Sequence, residues 1–80
     1  MSLVDELKKE LRETTIEWVV ETKNQNVPFY ENQDSLEKRT VRLVTKYAKL
    51  GIPIKEIGDI LLVESMGYDY EALAKESECQ

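Results

Sequence analysis

The chain has 80 residues, with 11 Lys plus Arg against 16 Asp plus Glu, a net charge of −5, no histidine and a single cysteine, Cys79. That length allows one small domain over residues 1–80. The inventory excludes an intramolecular disulfide framework, a typical Cys/His zinc site and any histidine-based nucleophilic triad.

The first segment, about residues 3–23, reads as an amphipathic helix. Leu3, Leu7, Leu11 and Trp18 lie on one stripe at helical spacing, continued by Thr14. Ser2 and Asp5 resemble a capping box at its start. Within it, Ile16, Trp18 and Val20 alternate as a strand would, but no second strand exists to pair with them, so helix is the expectation throughout. Residues 24–34 read as a loop, because Pro28 opposes helix at Val27. Phe29 and Tyr30 are expected to anchor that loop on the core.

The second helix is expected over about residues 35–50, with Asp34 as N-cap and Glu37 completing a capping box. Leu36, Val41, Leu43, Val44, Tyr47, Ala48 and Leu50 cover one half of its wheel, and Gly51 stops it. Pro53 suits the first turn of a third helix over about 53–66. Ile54, Ile57, Ile60, Leu61, Leu62, Val63 and Met66 almost surround that helix, which marks it as the central core helix or as part of a dimer interface. Gly67 ends it, Asp69 caps a short helix over about 70–77, and the tail beyond is expected to fray. The fold class is all-α: a compact bundle of three longer helices and one short one.

Charge is unevenly spread. Residues 1–34 hold four basic and eight acidic side chains, residues 51–80 two and seven, and residues 35–50 five and one. Lys38, Arg39, Arg42, Lys46 and Lys49 share the wheel face opposite the apolar one. Three readings compete: a solvated face paired with acids such as Glu17, Glu21, Glu64 or Glu71, a docking face for a protein with an acidic surface, and contact with a phosphate backbone. The net charge of −5 disfavours the last. An 80-residue domain buries only about 60% of its unfolded surface, so helices this apolar point to self-association as a homodimer through Trp18, Val19, Ile60 and Val63.

Three short motifs resemble known families. Leu50-Gly51-Ile52-Pro53-Ile54-Lys55-Glu56-Ile57 is similar to a helix pair of mercury-resistance-type (MerR) regulators. That resemblance implies a helix–turn–helix nucleic-acid-binding regulator, although residues 1–34 lack the Arg-Tyr-Tyr-like signature of its DNA-reading part. Asp34-Ser35-Leu36 resembles the tripeptide of acyl carrier proteins and implies modification by phosphopantetheine at Ser35. Glu31-Asn32-Gln33 stands where that family usually carries a glycine, and the helix that follows is basic rather than acidic. Met66-Gly67-Tyr68 with Leu73 resembles the loop of ubiquitin-associated domains, which there joins the first two helices, not the last.

Glu56, Asp59 and Glu64 are the carboxylates on or beside the third helix that could serve acid–base chemistry. No Gly-rich phosphate loop or carboxylate-rich metal motif appears in the sequence, so neither enzyme activity, a cofactor nor a metal is expected. No apolar run reaches the roughly 20 residues of a membrane span. The N-terminus is charged from Asp5 onward, unlike a secretory signal, and one unpaired cysteine suits a reducing compartment. The expectation is a small acidic cytoplasmic interaction or regulatory protein.

Overall fold

The computed structural model describes residues 2–78, and among them every regular element is helical. Helix α1 (Leu3–Asn24) is opened by Ser2, whose Oγ accepts the backbone N–H of Asp5 at 3.2 Å. All three other α-helices pack against α1, so the core is built around it. The β-branched stretch at 14–20 is helical, not strand. Two threonines of this half are absorbed by back-bonding. Buried Thr15 donates its hydroxyl to the Leu11 carbonyl at 2.8 Å, and buried Thr22 donates to Trp18 at 2.7 Å.

The C-terminus of α1 is closed by Asn26, held at φ +58°. Its N–H donates to the Lys23 carbonyl, and that of Val27 to Thr22, the paired bonds of a Schellman motif with asparagine at the left-handed position. The chain then makes a 3-10 turn, η1 (Phe29–Glu31). Phe29 packs on the core with its ring centroid 5.5 Å from Trp18 and 5.3 Å from Tyr70, and Trp18 meets Tyr70 at 5.0 Å edge to face. Tyr30 corrects the expectation: it is 76% exposed, because in a one-turn helix its neighbour Phe29 takes the inward direction.

Helix α2 (Gln33–Lys49) starts two residues earlier than the sequence suggests, with Asn32 rather than Asp34 as N-cap. Asn32 is pinned from both ends. Its carbonyl accepts the Trp18 indole N–H at 2.9 Å, and its amide donates to Thr22 Oγ1 at 2.8 Å. That clamp sets where the helix begins, leaving Asp34 in the first turn, where its charge still opposes the helix dipole favourably. Gly51 at φ +113° ends α2 with a second Schellman motif. Gly51 N–H donates to Ala48 and Ile52 N–H to Tyr47, and both Ile52 and Tyr47 are buried.

Helix α3 (Ile54–Met66) follows Pro53, which sits at the N-cap instead of inside the first turn. Gly67 closes it with an ordinary right-handed conformation. Asp69 Oδ1 then accepts from the N–H of Glu71 and of Ala72, starting α4 (Tyr70–Glu78). Cys79 lies outside the described residues, as does the end of the tail expected to fray.

One core cluster holds Leu7, Leu11, Leu43, Tyr47, Ile52 and Ile57, and a second holds Trp18, Val19 and Ala74. Of the seven apolar residues of α3, only Ile57 is fully buried, with Ile60 and Leu61 partly so. The central helix is therefore α1. A 13-residue helix that touches its neighbours along one side leaves its other side in solvent. No helix among the described residues is long and apolar enough to cross a membrane.

Candidate functional site

The basic residues of α2 divide by geometry. Arg39 and Lys46 lean toward α1, where Arg39 pairs with Glu21 and Lys46 with Glu10. The Lys46 ammonium also sits 5.4 Å from the centroid of the Tyr47 ring, and the Glu10 carboxylate raises its pKa above the usual lysine value. These two cations act as clasps between α1 and α2. Their exposed setting makes each contribute little to stability. Glu21 was among the expected acidic partners; Glu10 was not, because the sequence does not reveal the antiparallel register of α1 and α2.

Lys38, Arg42 and Lys49 form no ion pair among the described residues. All three are exposed. Lys38 and Arg42 flank Val41, an exposed aliphatic residue, in an open hollow of about 560 Å³ whose other edge is formed by Asp34 and Glu37. The hollow thus combines two cations and two carboxylates with a small apolar contact, and Lys49 stands further along the helix. Arg42 also borders a second hollow beside Glu17 and Arg39, at the seam with α1.

The residues expected to mediate self-association separate completely. Trp18 and Val19 are fully buried inside one chain, so they have no surface to offer a second copy. Loop 25–32 and α4 cover the end of α1 that the sequence left open on several sides. Ile60 is partly buried against the main core, while Val63 is exposed. Ile54, Leu62 and Met66 of α3, named in the sequence only among the residues that surround this helix, are also exposed. A wheel plot could not separate them from the core residues, because apolar side chains occupy almost every direction of that helix.

Ser35 is half-buried in the first turn of α2. Glu56 and Asp59 are exposed, and Glu64 is half-buried near Tyr68. The Tyr68 hydroxyl is buried without a hydrogen-bond partner among the described residues. Burial pushes its pKa up to about 12, and the nearby Glu64 carboxylate acts in the same direction. Tyr68 lines a cleft of about 480 Å³ between α2 and α3, with Leu11 and Thr15 of α1 also lining it and Leu36, Thr40, Leu61 and Leu62 on its walls. Between α1 and α4, Arg12 pairs with Glu76 at 2.5 Å and Lys23 with Glu71 at 2.7 Å. No group of three or more metal-ligating side chains gathers among the described residues.

No family model matches the chain, and neither a curated protein nor a solved structure was found to be significantly similar to it.

Proposed function

We propose that this chain is a small interaction protein, a compact three-plus-one helix bundle that binds an acidic protein surface through the outer face of α2. The observation that supports this reading is the split among the five cations. Two are consumed in clasping α1, and three form no ion pair among the described residues, with Lys38 and Arg42 beside exposed Val41 and Lys49 about two turns further along α2. Unpaired surface charge steers encounter with an oppositely charged partner, and an apolar contact at its centre supplies adhesion once the partner has arrived. A net charge of −5 over the whole chain weighs against a nucleic-acid backbone as that partner, since the remaining surface repels it.

The test uses fluorescence anisotropy with labelled acidic helical peptides carrying a leucine anchor, and with duplex DNA and RNA as separate arms. Wild type is compared with the triple variant Lys38→Glu, Arg42→Glu and Lys49→Glu, in which all three changes are at exposed positions. Peptide binding is expected to weaken with added salt and to fall at least tenfold in the variant. Peptide affinity unchanged by charge reversal overturns the reading. Tighter binding to nucleic acid than to the peptides overturns it too, in favour of the helix–turn–helix alternative.

A further inference from the structure

Helix α3 carries an apolar ridge that the fold leaves uncovered. Ile54, Gly58, Leu62 and Met66 recur every fourth residue, the spacing of the commonest ridge used in helix–helix packing. Ile54 is 68% exposed, Leu62 62% and Met66 78%. The ridge is broken at Gly58, where an added Cβ would meet no atom within 4 Å. An exposed glycine inside a helix lowers helix stability relative to alanine, and nothing in the single chain compensates for it.

Although the Ile60 side chain packs on the core from the opposite side of α3, the ridge is symmetric about its own midpoint, level with residue 60. Gly58 and Leu62 lie equally far to either side of it, as do Ile54 and Met66 further out. A second α3 running antiparallel across a two-fold axis through that midpoint therefore meets this one knob to notch. Leu62 of each copy seats over Gly58 of the other, and Ile54 lies opposite Met66. The remaining side chains beside the ridge include Lys55 and Asp59, one charge of each sign, so two copies of a chain with net charge −5 can approach here without local repulsion. The three exposed side chains of the ridge offer on the order of 400 Å² of apolar surface per copy. With its polar rim, a two-fold pairing reaches the roughly 1,000 Å² at which specific interfaces begin.

We infer that this protein forms an isologous homodimer through α3, with Leu62 of each protomer packed into the gap at Gly58 of its partner. Val63, expected from sequence to be at a self-association surface, lies off this ridge on the flank shared with Ile60 and Lys8. None of Lys38, Arg42 and Lys49 lines the cleft that Leu62 borders, so reversing their charges leaves the α3 ridge itself unchanged.

Sedimentation velocity from micromolar to hundreds of micromolar tests the inference. Wild type is expected to pass from monomer to dimer across that range. Gly58→Leu fills the notch and Leu62→Glu charges the knob, and each is expected to raise the dimer dissociation constant at least tenfold while circular dichroism shows unchanged helicity. Val63→Glu and the α2 triple variant are expected to dimerise like wild type, the latter even if peptide binding is lost. A wild-type chain that stays monomeric at the highest concentration overturns the inference. So does a dimer indifferent to both Gly58→Leu and Leu62→Glu, or one broken by Val63→Glu.

Discussion

Thr22 is polar yet fully buried, and its hydroxyl joins two elements. It donates to the Trp18 carbonyl within α1 and accepts from the Asn32 amide at the start of α2. Thr22→Val keeps the β-branched shape and removes both bonds. The Trp18 carbonyl retains its helical partner, so the main loss is the Asn32 bond. A typical hydrogen bond contributes about 1 kcal/mol net, and stranding a buried partner costs about 1–3 kcal/mol. Asn32 is only half-buried, so its amide can turn to water and the expected cost is about 1–2 kcal/mol. Against a total of roughly 4–12 kcal/mol for a domain of this size, that is resolvable by urea unfolding followed through Trp18, the only tryptophan. Asn32→Ala removes the same bond from its other end while keeping the carbonyl that accepts from Trp18. The double variant should therefore fall short of additivity by about 0.5–1.5 kcal/mol. Thr22→Ser, which keeps the hydroxyl, should retain the coupling to Asn32. If Thr22→Val unfolds at the wild-type urea midpoint and the two changes add, the clamp does not position α2 and the account of its early start fails.

Gly51→Ala forces a side chain into φ +113° with no neighbour to clash. Backbone strain alone sets its cost, about 1–2 kcal/mol, read as a lower thermal midpoint; an unchanged midpoint contradicts the second Schellman motif. Tyr68→Phe removes a buried hydroxyl that has no hydrogen-bond partner among the described residues, so stability should hold within about 1 kcal/mol or rise; a larger loss in urea would reveal a bond. Because burial holds the Tyr68 pKa at about 12, wild type should lose this group's contribution as pH climbs from 10 toward 12. The same alkaline unfolding series on Tyr68→Phe should lack that loss. Arg12 holds the Glu76 carboxyl below its ordinary pKa through a hydrogen bond. The stabilisation is present above the usual carboxylate range and disappears as pH falls through the lowered value. The gap in stability between wild type and Arg12→Gln should accordingly close in acid and shrink in high salt; a gap independent of pH would mean Arg12 acts through packing instead.

Helix identity was legible from the sequence wherever a local chemical signal existed. Ser2, Gly51 and Asp69 act as expected at helix boundaries, because each works through its own backbone or through groups within three residues. Periodicity marked Leu7, Leu11, Leu43 and Tyr47, which lie in the core, but also Leu3, Val41 and Leu50, which are exposed, and it did not distinguish Ile57 from its apolar neighbours on α3. The start of α2 was misread because the clamp on Asn32 comes from Trp18 and Thr22, at least ten residues away. No local pattern encodes that contact.

The composition and order of residues by themselves determined an all-helical chain with one basic helix between two acidic flanks. Only the tertiary structure decided which of its charges and apolar residues remain available. Docking α2 on α1 consumed Arg39 and Lys46 and left Lys38, Arg42 and Lys49 without an ion pair among the described residues. Packing α4 and the loop over the end of α1 buried Trp18 and Val19, while α3, touching its neighbours along one side, kept Ile54, Leu62 and Met66 in solvent. Helix formation depends on contacts a few residues apart, which a sequence displays. Surface availability depends on the relative placement of whole helices, which is set by long-range packing.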